Sequence, residues 1–216
     1  MNTSSKNLYQ SAAVVAMIRI VLLPLAAVLI TSASVTPAFA ATFWFTGGAD
    51  GGDWANKTNW SYDASGTSPV ENLPEPEDSV QIDRASAKIS SDTTVDGVLI
   101  TLLDGSTLAI ESGGALVGGS VSAVYGSKVK ILSGATVENA PATHLYSGST
   151  LTIESGGTFV GGSVSIGMDS GTTIRSGATF NPSFILRSNV DDYVNSDHGF
   201  LTLEAGVVVT VREYIQ

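Results

Sequence analysis

The stretch Gly105-Ser106-Thr107-Leu108-Ala109-Ile110-Glu111-Ser112-Gly113-Gly114-Ala115-Leu116-Val117-Gly118-Gly119-Ser120-Val121-Ser122 returns 43 residues later, beginning at Gly148 and ending at Ser165. In the second copy Thr152, Thr158 and Phe159 replace Ala109, Ala115 and Leu116, and the other fifteen residues are identical. A weaker copy, Gly126-Ser127-Lys128-Val129-Lys130-Ile131-Leu132-Ser133-Gly134-Ala135-Thr136-Val137, lies between them. A fourth runs from Asp169 to Phe180. The unit is therefore about 21 residues, with starts at 105, 126, 148 and 169. Self-similarity at such a period is the mark of a repeat architecture.

Within one unit Leu108 and Ile110 alternate, which places both side chains on one face of a strand. Ser112-Gly113 turns the chain, Ala115 and Val117 begin a second alternation, Gly118-Gly119 turns it again, and Val121 opens a third short strand. In the fourth unit this reading puts Thr173 in the Leu position, with Ile174 displaced by one. Three short strands and glycine corners per 21 residues describe one coil of a parallel β-solenoid. A single coil cannot bury its own apolar row. Stacked coils turn Leu108, Val129 and Leu151 into one ladder and Ile110, Ile131 and Ile153 into the next, at about 4.8 Å per step. Each buried Leu or Ile contributes about 1.5–3 kcal/mol, so the coils depend on one another. An antiparallel sandwich or up-and-down barrel also uses short, glycine-punctuated strands, but does not call for near-identical sequence at a fixed offset. The expected fold is all-β, a single-stranded parallel β-helix with coils of about 21 residues and a Trp-rich N-terminal cap.

The first forty residues read as an address. Lys6 and Arg19 are the only charges before the apolar run Ile20–Ile30, and small residues follow to Pro37-Ala38-Phe39-Ala40. This is the layout of a secretory signal peptide cleaved after Ala40. The organisation expected is a leader over 1–40, a cap over 41–83, and a solenoid over 84–216 with its clearest repeats at 105–188. The rival is an uncleaved anchor, which Arg19 interrupts. No other segment is apolar and long enough to span a bilayer. The 216 residues carry a net charge of −10 and no cysteine. That excludes disulfides, Cys-ligated zinc, iron–sulfur clusters and a thiol nucleophile. It also argues against nucleic acid as a partner, which needs a basic footprint. An exported chain without cysteine fits a bacterial envelope, and the expected location is the periplasm, the cell surface or the extracellular space. The glycosylation patterns at Asn56-Lys57-Thr58 and Asn59-Trp60-Ser61 are then coincidental.

Without the leader the charge is −12, and it sits at the two ends. Residues 105–188 are neutral, whereas 41–104 carry −8 and 189–216 carry −4. Charge at the ends of a stack blunts edge-to-edge aggregation. All three tryptophans fall in 42–83, where large aromatics suit a cover for the first coil. The functional alternative there is a sugar platform, with Trp54 and Trp60 as glycan contacts.

The opening series Trp44, Gly47, Asp53, Trp54, Asn56, Asn59, Trp60, Pro74, Asp78, Val80 and Ile82, followed by glycine-rich strands, resembles the start of exported bacterial β-solenoid surface proteins. These include autotransporter passenger-like and adhesin-like proteins. The resemblance covers most of 43–188 and implies architecture and a surface role rather than an activity. No β-barrel translocator and no LPxTG-like sorting signal follows, so self-export is not implied.

Candidates for chemistry are few, and no cofactor or metal is called for. His144 falls in a presumed linker, Asn139–Tyr146, and His198 in a polar turn. No HExxH, GxSxG or P-loop occurs. Glu111 and Glu154 stand two coils apart, about 9–10 Å by the stacking repeat, with Leu132 between them in the same column. A solvated surface role is preferred for both. Asp191-Asp192-x-x-Asn195-x-Asp197 lacks the spacing of the known calcium loops and reads as a polar loop. A threonine array of the ice-binding kind begins with Thr107 and Thr150, but Lys128 interrupts it. The functional expectation is a non-enzymatic solenoid with a structural or adhesive role at the cell surface or in the matrix. Its partners would be a polysaccharide or another surface protein. The alternatives are a carbohydrate-binding or polysaccharide-active β-helix, and a fragment of a longer passenger. Gly206-Val207-Val208-Val209-Thr210-Val211 is expected as an apolar edge strand open to self-association.

Overall fold

The computed structural model describes residues 40–47, 51–187, 199–207, 209 and 213–215. The expected leader lies outside them up to residue 39, as do Asp191, Asp192, Asn195, Asp197 and His198. The chain is a β-solenoid whose three faces are sheets of nine, six and five strands, here faces A, B and C. Strands along each face pair in parallel, except for one antiparallel pair at the N-terminal end.

Each coil passes B, then C, then A. Coil 1 consists of Ser86–Ile89, Thr94–Asp96 and Leu99–Leu103. Coil 2 is Thr107–Ile110, Ala115–Val117 and Ser120–Ala123; coil 3 is Lys128–Ile131, Thr136–Glu138 and Ala142–Leu145. Coil 4 is Thr150–Ile153, Thr158–Val160 and Ser163–Ile166; coil 5 is Gly171–Ile174, Thr179–Asn181 and Phe184–Arg187. A sixth follows with Phe200–Leu203, a bridge from Val209 to Phe180, and Glu213–Ile215.

The register confirms the ladders read from the repeat. Leu108, Val129 and Leu151 stand side by side, as do Ile110, Ile131 and Ile153, each at most 3% exposed. Three details differ from the sequence reading. The fourth unit is in phase, with Thr172 opposite Leu151 and Ile174 opposite Ile153, because the backbone ladder fixes the register coil by coil. On face C the inward residue is the middle one of three: Val95, Leu116, Val137, Phe159 and Phe180 form the buried column, while Ala115 and Val117 face outward. A three-residue strand held between two corners has one inward position, and the turn closed by Gly114 N donating to Glu111 O selects it. Of the expected C-terminal edge strand, Gly206 lies in a turn and Val209 bridges Phe180 in parallel, while Val208, Thr210 and Val211 lie outside the described residues.

The corner between B and C shows why glycine recurs. Gly134 and Gly156 have φ of 75° and 79°. A Cβ on either would stand 2.7 Å from the Oγ of Ser112 or Ser133 in the preceding coil. At the corner between A and B, Ser106, Ser127, Ser149 and Ser170 form a buried column, each at most 1% exposed. Ser106, Ser127 and Ser170 donate to backbone carbonyls of the same turn, which offsets the cost of burying their hydroxyls.

At the N-terminal end the stack begins before residue 84. Ser79–Asp83 pairs with Leu99–Leu103, and Thr42–Phe45 pairs with Ser79–Asp83. Trp60–Ser61 then closes face A by pairing antiparallel with Thr42–Phe45. The aromatic motif builds this cap. Asn56 Oδ1 accepts from Thr58 N to start the turn at Lys57–Asn59, and Asn59 Nδ2 donates to Asp53 O. Trp60 Nε1 donates to Trp54 O at 2.8 Å, and the two indoles meet edge to face with centroids 4.7 Å apart. Asp53 Oδ1 accepts from Ser90 Oγ, tying the cap to coil 1.

Candidate functional site

Trp54 and Trp60 are each 2% exposed and packed against Phe45 and the first coils. Their rings offer no free face to a sugar. Trp60 packs edge to face on both Trp54 and Phe45.

The charged candidates clamp coils together. Glu111, Leu132, Glu154, Arg175 and Glu204 follow one another along the corner, each backbone N–H donating to the coil before. Arg175 Nε meets Glu154 Oε2 at 2.7 Å, and Arg175 Nη1 donates to Glu204 Oε1 at 2.8 Å. One guanidinium thus joins coils 4, 5 and 6. Glu204 Oε2 also accepts from Ser176 N at 3.0 Å, and this backbone bond, with Arg175, holds its carboxyl below the ordinary glutamate range. Glu111 lies 3.9 Å from Lys88 of coil 1. The two glutamates therefore face basic neighbours along the column. In the N-terminal loop, Asp63 accepts from the amides and hydroxyls of Ser65 and Thr67, and these bonds hold its carboxyl far below the usual range. That loop is a self-contained turn.

On face B the register sets Lys128 between Thr107 and Thr150, so the threonine row is broken where the sequence places the break. On face C an outward row of Thr136, Thr158 and Thr179 runs unbroken through coils 3 to 5. Along the adjoining corner Ser112, Ser133, Ser155 and Ser176 are exposed in successive coils. No group of three or more His, Asp or Glu side chains among the described residues is arranged to hold a metal ion. No helix among them is long and apolar enough to cross a membrane.

His144 is not in a linker. Ala142–Leu145 is the face A strand of coil 3, paired with Ser120–Ala123 on one side and Ser163–Ile166 on the other. His144 points outward, flanked in register by Ser122 and Ser165. Its imidazole lies nearly parallel to the Tyr146 ring, at 14° with centroids 5.9 Å apart. Tyr146 is 41% exposed, and Tyr125 and Met168, from the adjoining corner, are 65% and 50% exposed. The sequence reading passed over these three. The available signal was the alignment of Ala142-Thr143-His144-Leu145 with Ser120-Val121-Ser122-Ala123 and Ser163-Val164-Ser165-Ile166, which marks a third strand and not a connection.

Fold and surface together define a parallel β-solenoid with a tryptophan-built cap, hydroxyl rows along its length and exposed rings at Tyr125 and Tyr146. No protein-family model matches the chain, and comparison with curated proteins and with solved structures finds no match.

Proposed function

We propose that this protein is an exported, non-enzymatic β-solenoid with a structural or adhesive role at the cell surface or in the extracellular matrix. One observation carries the reading: outward rows repeat the same short hydroxyl side chains coil after coil, with the exposed Ser112, Ser133, Ser155 and Ser176 on a corner and Thr136, Thr158 and Thr179 beside it. A repeated surface suits distributed attachment to another repeated surface, since many weak contacts add when they share a period. The pairing of Glu111 and Glu154 with Lys88 and Arg175 supports a structural use of those carboxylates. The leader-like residues before Ala40 support export.

The test is retention of the full-length chain on isolated cell envelopes and on extracellular matrix material. The double variant Glu111→Gln, Glu154→Gln should be retained like the parent. Release of sugar products that disappears in that variant, with folding intact, overturns the reading in favour of an enzyme. Absence of retention on every surface overturns the adhesive role.

A further inference from the structure

Between Leu99 and Ile166 the strands of face A contain no Asp, Glu, Lys or Arg. Their outward residues in coils 2 to 4 are Ser120, Ser122, Ala142, His144, Ser163 and Ser165, a low neutral strip. Along one edge of this strip stand the Tyr146 ring, near-parallel to His144, and the more exposed Tyr125 and Met168. The setting of Tyr146 depends on the next coil. Gly167 has an ordinary backbone φ, so conformation does not require glycine there. Space does: a Cβ on Gly167 would stand 2.6 Å from Tyr146 Cδ1 and 3.1 Å from Tyr146 Cε1. The missing side chain lets the phenol ring rest against the backbone of coil 4 while a large part of it stays exposed.

We propose that this strip binds an uncharged polysaccharide, with one pyranose ring seated on Tyr146 and sugar hydroxyls reaching Ser122, His144 and Ser165. This rests on the adhesive reading and names its partner. An aromatic face is electron-rich and attracts the slightly positive C–H face of a pyranose. Hydroxyls and an imidazole supply donors and acceptors without charge. The net charge of −10 disfavours acidic polymers, and the neutral strip offers them no counter-charge. The coil step of about 4.8 Å is close to the length of one pyranose residue, so successive sugars of a glycan lying across the coils meet Ser122, His144 and Ser165 in turn. The buried Trp54 and Trp60 take no part.

The test is affinity electrophoresis of the full-length chain through gels containing a soluble neutral β-glucan, a galactomannan or polygalacturonate. At least one of the two neutral polymers should retard the protein and polygalacturonate should not. Tyr146→Ala should weaken the retardation about tenfold, the size of one aromatic stacking contact. Tyr146→Phe should preserve it. Tyr62→Ala, at an exposed ring of the cap, should leave it unchanged. Circular dichroism checks the fold of each variant, and His144→Ala repeats the test on the second ring should Tyr146→Ala fail to fold. The proposal is overturned if neither neutral polymer retards the parent chain, or if a folded Tyr146→Ala variant is retarded equally. Envelope retention that survives in Tyr146→Ala would remove this site and leave the adhesive role standing.

Discussion

At the N-terminal end of the stack Val80 and Ile82 are fully buried, because Phe43, Phe45, Trp54 and Trp60, at 2–4% exposed, lie over them and over coil 1. At the C-terminal end Leu203 follows Ile174 in the same inner column, yet it is 45% exposed. Leu203 and Ile174 are equivalent in the repeat, yet Ile174 is 0% exposed. In a solenoid burial is a property of the pair of coils, so the chain spends its large aromatics where one neighbour is missing. The antiparallel strand Trp60–Ser61 also ends the face A ladder at that end and leaves no parallel edge there to extend.

The comparison breaks most sharply at the cap. Trp60→Ala removes a buried ring that contacts Phe43, Phe45 and Trp54 and the donor to Trp54 O. The expected loss is about 3–5 kcal/mol, read from denaturant unfolding, with increased association in light scattering as coil 1 is uncovered. A smaller pair of effects sharpens it. Ile131→Ala, in the middle of the Ile column, should cost about 2–5 kcal/mol. Leu203→Ala, one-sided in that same column, should cost about 1 kcal/mol, in line with its partial burial. Equal losses at the two positions would mean that Leu203 is covered in solution.

How far the sequence could be read follows the same logic of neighbours. Leu108 and Ile110 were legible because a strand of four residues has two inward positions and their partners recur at 21 or 22 residues. Leu116 was not, because its strand has a single inward residue and the flanking Ala115 and Val117 are apolar as well. The aromatic motif was read as a cap because three tryptophans in 42–83 suit a cover for the first coil, and in the structure Asn56, Asn59 and Trp60 make local hydrogen bonds there. Whether its rings remained exposed depended on packing over residues 79–89, which spacing does not encode. Tyr146 was the hardest to see. It sits 21 residues before Gly167, and neither residue draws notice until stacking sets the ring on the glycine.

The smallest effect concerns how the exposed end is held. Coil 6 is joined to coil 5 by the face pairings and by Glu204, which binds Arg175 and the Ser176 amide. Because the Glu204 pKa is depressed in the fold, its contribution is present above the ordinary glutamate value of about 4.3. It is lost as pH falls through the lower native value. Protonation of Glu204 weakens its bonds to Arg175 and to the Ser176 amide, which are ties between coil 5 and the last coil. Amide exchange, corrected for its intrinsic pH dependence, should therefore show Ser176 and Glu204 losing protection on acidification before Leu132 and Glu154 of the central coils. Glu204→Gln should remove most of that difference at neutral pH while the global unfolding transition stays where it was. If acid loosens the capped end first, the ion pair at Arg175 is not what holds the open one.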